Sequence, residues 1–246
     1  MKRSEAAMLP QSAKSIPSAR HLTRTAALAA AVAIAAVVGV PASAAPAAAP
    51  TSAASVAAAP STNSPIVGGQ TTLGLNPKLG LAGSVSLKVG GGKVTHADHK
   101  ITGGQVLLNG QVTLKAGGKN VTLSKLSIDI ANGTVTATLN RSAVVLATID
   151  TSTLRLRSQP GSTKLYVHIG FADDNNIELS GPGAAKLNAL LGLKLTKGDT
   201  LLDGEVAVAL NLDEALAADL GVDLKAAVEA GIDSDVELGA PIDLDA

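Results

Sequence analysis

The run "KLYVHIGF" (164–171) holds the chain's single Tyr, Tyr166, its single Phe, Phe171, and one of its four His, His168. On a strand alternate side chains share a face, so Tyr166 and His168 point one way and Leu165, Val167, Ile169 and Phe171 the other. Residues two apart on a strand lie about 7 Å apart. A Tyr and a His so placed can hold a metal or a haem iron, or hydrogen-bond to each other. The same pattern also describes an ordinary strand with an apolar core face and a polar outer face. Two side chains alone make neither a closed metal site nor a pocket.

The segment "THADH" adds His96, Asp98 and His99. Imidazole and carboxylate are metal ligands. Asp98 and His99 are adjacent, however, and would point apart on a strand, so a polar loop is expected here and no metal site. The acidic end gathers Asp233, Asp235, Glu237, Asp243 and Asp245. Glycosidases need two carboxyls flanking a sugar, and no aromatic ring lies near these. The run also lacks the mid-loop glycine and closing glutamate of a calcium loop. A solvated acidic tail is expected. The segment "SPIVGGQ" (64–70) is similar to the activated N-terminus of chymotrypsin-like proteases, but neither "GDSGG" nor "GxSxG" follows, and both mark nucleophile loops. No nucleophile–base set is legible, so no enzyme is expected. A sugar platform built of aromatic rings is not expected either, because the chain has only two aromatic residues.

These residues must be positioned by strands. From residue 83 the apolar period is two: Val85, Leu87 and Val89, then Val112 and Leu114, then Val135, Ala137 and Leu139, then Leu154 and Leu156. Asn132-Gly133 has the residues of a hairpin turn, and Gly117-Gly118 and Asp174-Asn175 mark further turns. In "VTLSKLSIDI" the apolar phase slips between Leu123 and Leu126, which predicts a bulge near Ser124-Lys125. Pro182, Leu187, Leu190, Leu191 and Gly192 predict a short helix over 182–191. Leu212, Leu216, Leu220, Leu224 and Val228 recur every four residues and predict a second helix, weakened by Gly221. Many short strands with frequent turns argue for a β-sandwich.

The remaining chain sets compartment and partners. A basic start, the uncharged run "TAALAAAVAIAAVVGV" (25–40) and Ala42-Ser43-Ala44 form a secretory signal peptide, with cleavage near Ala44. Sixteen residues, mostly Ala, are short for a membrane span of about 20, so no transmembrane anchor is expected in the mature chain. Residues 45–65 are Ala/Pro/Ser-rich and read as a disordered linker. A β-sandwich domain is then expected over 66–210 and an acidic segment, partly helical or disordered, over 211–246. The chain has no Cys, which excludes disulfides and thiolate metal sites. Residues 66–198 carry 14 basic and 6 acidic side chains, and residues 199–246 carry 1 and 13. The spread of basic residues and the scarcity of aromatics argue against nucleic acid as a partner.

Three stretches resemble secreted β-rich domains of high-GC Gram-positive bacteria, in the neighbourhood of the HtaA haem-uptake domain. They are "ITGGQVLLNGQVTLKAGGKNVTLSKLSIDIANGTVTATLN" (101–140), "VVLATID" (144–150) and "IELSGPGAAKLNALLGLKLTKGDTLLDGEVAV" (177–208). Together they fall within about residues 84–210. The resemblance implies an all-β, immunoglobulin-like β-sandwich with one or two short helices, and haem held by a Tyr with a supporting His. The family's opening aromatic segment, which supplies the ligating Tyr, has no counterpart here, so no family site residue is carried over. If haem is bound, Tyr166 is the only tyrosinate available, with His168 on the same face. The sequence thus leads to a secreted, non-catalytic cell-envelope or surface module with no cofactor, whose partner is an envelope component or small ligand. A haem-binding domain in iron acquisition is the alternative.

Overall fold

The computed structural model describes residues 61–170 and 176–242, with Asn176 described by its backbone alone. The expected signal peptide, most of the linker, Phe171, the Asp174-Asn175 turn, Asp243 and Asp245 lie outside the described residues.

The strands are β1 (Thr62–Thr71), β2 (Gly74–Leu75), β3 (Ala82–Ala97), β4 (Lys100–Ala116), β5 (Lys119–Asp129), β6 (Thr134–Leu139), β7 (Ser142–Thr148), β8 (Thr153–Ser158) and β9 (Lys164–Ile169). They continue with β10 (Asn176–Leu179), β11 (Thr200–Asp203), β12 (Val206–Asn211) and β13 (Ile232–Glu237). The helices are α1 (Gly181–Leu191), α2 (Glu214–Leu220) and α3 (Leu224–Ala230). The protein is all-β in class. Among the described residues the thirteen strands make one antiparallel sheet in the order β13-β8-β9-β12-β1-β3-β4-β5-β6-β7-β10-β11-β2. The last strand also lies against β3, so the sheet curls.

β1 joins the two parts of this sheet. Its first residues, Thr62–Pro65, pair with β3, and Ile66–Thr71 pair with β12. Pro65 has no N–H to give to a ladder, and the change of partner falls at that residue. β1 therefore takes in Thr62–Pro65, ahead of the boundary expected near Ile66. Pro65-Ile66 is a crossover between strands, where the end of the linker was expected.

The turns follow from local chemistry. Gly117 and Gly118 adopt φ 53° and 77° and close the β4–β5 hairpin. Asp98 and His99, with φ 49° and 60°, close β3–β4 in the same way, so the expected polar loop is a tight two-residue turn. The Asn132-Gly133 connection is wider. Asp129 accepts hydrogen bonds from the backbone N and Nδ2 of Asn132 at its base. The bulge falls where the apolar phase slips: Lys125 has φ 50°, and the β5–β6 register shifts between Ser124 and Ser127.

The helices are capped by their own sequence. Ser180 accepts from Gly183 N at the start of α1, and Gly192 ends the helix in the left-handed conformation at φ 74°. The single helix expected along Leu212–Val228 is two. Gly221 stops α2 at φ 73°, and Asp223 opens α3 by accepting from Ala226 N. The last 15 residues, expected to be unpatterned, contain β13, which pairs with β8 along its whole length. The boundary expected at 210 falls inside β12.

The core gathers the inward set of each strand, including Val112, Leu123, Ile128, Leu156, Val167 and Val208, all 0% exposed. Each such side chain contributes about 1.5–3 kcal/mol relative to exposure. α1 packs on β7 through Gly183, where an added Cβ would stand 1.9 Å from the Leu146 carbonyl oxygen. Gly183→Ala is expected to lower the unfolding free energy by about 2 kcal/mol, because the helix must move off the strand. Gly181→Ala, which has nothing within 4 Å of the new methyl, is expected to be neutral or to stabilise by about 0.5 kcal/mol. Urea titration of the two variants checks the contrast.

Candidate functional site

Pairing aligns the outer side chains of β13, β8, β9, β12 and β1 in cross-strand rows. One row runs Asp235, Arg155, His168, Ala207, Gln70. The next runs Asp233, Arg157, Tyr166, Ala209, Gly68. The fourth place of each row is an alanine methyl group, with taller side chains in the three places before it. That difference in height leaves a cleft of about 450 Å³, with Ala207 on its lining and Tyr166, His168, Glu205, Arg157 and Gln70 around it.

Tyr166 and His168 are brought together here, on the face opposite the buried Leu165, Val167 and Ile169. His168 Nδ1 lies 3.2 Å from Glu205 Oε1. Arg157 grips Asp233 with Nε and one terminal nitrogen, both at 3.2 Å, and Arg155 Nε donates to Asp233 Oδ1 at 2.8 Å. Hydrogen bonds from Arg155, then Arg157, pull the Asp233 carboxyl down from its ordinary 3.8 to about 2. The same contact raises the pKa of Arg155. Ser158 Oγ also lies at the cleft, shut off from solvent and without a hydrogen-bond partner among the described residues.

Asp233 and Asp235 thus belong to a strand and its ion pairs, where a solvated tail was expected. The signal was present in the sequence. "RLR" in β8 and "DSD" in β13 alternate with the same period, so paired strands present cations opposite carboxylates. Gln70, on β1, and Glu205, just before β12, carried no such signal, because they reach the site only through long-range pairing.

The residues of "THADH" separate. Asp98 and His99 form the turn, while His96 is 1% exposed. Among the described residues no three His, Cys, Asp or Glu side chains come together as a metal-binding group. His96 Nε2 meets Ser64 Oγ at 2.8 Å, and its Nδ1 lies 3.2 Å from Asp219 Oδ2. A hydroxyl, an imidazole and a carboxylate therefore stand in nucleophile–base–acid order, a set that was not legible in the sequence. The carboxylate is off the ideal line of an Nδ1 hydrogen bond and acts on the ring through charge and through that oblique contact. Ser64 is followed by Pro65, which has no N–H to offer an oxyanion, and it lines neither described cleft. The set ties β1, β3 and α2 together.

No protein-family model, curated protein or solved structure matches the chain. Among the described residues no helix is long and apolar enough to cross a membrane.

The buried tie carries a pH signature. Desolvation lowers the pKa of His96 below its ordinary 6.5, opposed by the negative charges of Asp219 and Asp213. The ring lies just beneath the surface, since the Asp219 side chain over it is 37% exposed. A depressed pKa means that the unfolded chain binds the proton more readily. The stabilisation is complete above about pH 6.5 and is lost as pH falls through the lower folded value. His96→Gln is expected to cost about 2 kcal/mol at pH 7 and to flatten the decline in stability between pH 7 and pH 5. Urea unfolding of both proteins across that range measures the slope.

Proposed function

We propose that the chain is a secreted, non-catalytic module of the cell envelope or surface, which binds its ligand in the cleft beside Tyr166 and His168. The signal-peptide pattern and the Ala/Pro/Ser linker support export and a tethered placement. The observation that carries the binding role is the cleft itself: its charged groups are held by one another, Arg157 by Asp233 and His168 beside Glu205. Such mutual support fixes side chains for recognition. The nucleophile–base pair of Ser64 and His96 lies outside this cleft. The curled sheet, with β1 shared between its two parts, is consistent with a sandwich of the immunoglobulin-like kind.

A panel of p-nitrophenyl esters and glycosides tests the non-catalytic character. No turnover above buffer is expected. Turnover that vanishes in Ser64→Ala would overturn it.

A second reading is an HtaA-like haem-binding domain in iron acquisition, favoured by the shared placement of Tyr166 and His168. Arg157 stands opposite Tyr166 in register. The ligating pair suits haem, whereas the lining includes Arg157, Asp233, Glu205 and Gln70 and lacks the continuous wall of large apolar side chains that such a macrocycle buries. Haemin titration followed through the Soret band decides the matter. A saturable band lost in Tyr166→Ala supports haem; no saturable band, or one unchanged in the variant, removes it.

A further inference from the structure

We infer that the cleft takes a neutral, polyhydroxylated ligand, a sugar unit of a glycan, with the Tyr166 ring as its platform. This rests on the reading of the cleft as a binding site and names the class of its ligand.

The first argument is charge. The guanidinium at the cleft is answered by a carboxylate within it: Arg157 is bidentate to Asp233, and Glu205 lies 3.2 Å from His168. An anionic ligand would meet Asp233 and Glu205, and a cationic one Arg157. Either would have to break an existing pair. A neutral ligand breaks none.

The second argument is hydrogen-bonding capacity. Arg157 offers donors, Asp233 and Glu205 offer acceptors, and Gln70 and Gln159 offer both. A paired carboxylate or guanidinium still has unused lone pairs or N–H groups. A sugar hydroxyl donates one hydrogen bond and accepts others, so neighbouring hydroxyls match a wall on which donors and acceptors alternate.

The third argument is the ring. The chain has one Tyr, one Phe and no Trp, and the Tyr stands half-buried at the cleft. Aromatic side chains combine a flat apolar face with few rotatable bonds, and Tyr adds a polar tip. The low aromatic count argued against a sugar platform when the sequence was considered alone. Placement reverses that argument, because one well-placed ring serves one sugar unit. The volume of about 450 Å³ lies within the usual range for small-molecule sites.

The composition supplies its own probe. With no Trp and a single Tyr, the protein's intrinsic emission comes from Tyr166. Maltohexaose, cellohexaose and N-acetylated chitohexaose are titrated into the purified chain, with calorimetry in parallel. At least one is expected to give a saturable change in Tyr emission. By calorimetry, Tyr166→Ala is expected to weaken that binding about tenfold, while Tyr166→Phe, which keeps the ring, stays within about threefold. Gln70→Ala, a change at an exposed position, is expected to weaken it without altering the far-ultraviolet circular dichroism, and it stands in if Tyr166→Ala misfolds. No saturable response to any of the three sugars, or affinity unchanged from the wild type in both Tyr166→Ala and Gln70→Ala, would overturn the inference. A saturable haemin response without sugar binding would leave the cleft a binding site and remove only the sugar class. Silence to sugars and haemin alike would remove both.

Discussion

β12 is buried on both of its faces, and the rest of the structure is arranged around that constraint. Val206, Val208 and Leu210 point into the core, while Ala207 and Ala209 are covered from the other side at 6% and 3% exposure. A strand closed on both faces must have pairing partners on both edges, because an unpaired backbone group there has no access to water. β9 supplies one edge and β1 the other. β1 can then leave β12 for β3 only where its own ladder is interrupted, and Pro65 interrupts it. The outer residues of β12 are small, and the cleft exists because their neighbours in the same rows are large.

Two polar devices hold the periphery to this joint. Arg155 and Arg157 draw an acidic strand against β8, although the acidic end would otherwise be soluble on its own. These pairs are open to solvent, so their role lies in register and strand choice more than in net stability. His96 does the corresponding task beneath the surface. Its ring bridges β1 and β3 through Ser64 and faces α2 through Asp219, and its preference for the neutral form follows from burial. The two devices differ in cost. An exposed pair can be broken with little penalty, whereas an imidazole deprived of its partner under cover leaves an unsatisfied group.

What was legible in the sequence was local. Alternation located β3 to β6, β8 and β9, the phase slip between Leu123 and Leu126 located a bulge, and Pro182 and Gly192 bounded α1. The face shared by Tyr166 and His168 also followed from period two alone. What was hidden depended on contacts between distant segments. Ser64 and His96 are 32 residues apart, and His168 and Glu205 are 37 apart; no local pattern links them. β13 was missed for a different reason. Its apolar set, Ile232 and Val236, is interrupted by Ser234, so the alternation showed in the acids, which were read as a solvated tail. The spacing of four from Leu212 to Val228 suited one helix, but the left-handed turn at Gly221 and the cap at Asp223 divide it.

The central claim is that β12 is the joint of the sheet, sealed on both faces and both edges. Native-state hydrogen exchange tests it most directly. Amides of Val206–Leu210 are predicted to exchange only through global unfolding, with protection equal to the full unfolding free energy, while those of the terminal strand β13 open earlier. Protection in β12 no greater than in β13, with the slowest amides confined to β4 and β5, would contradict the account.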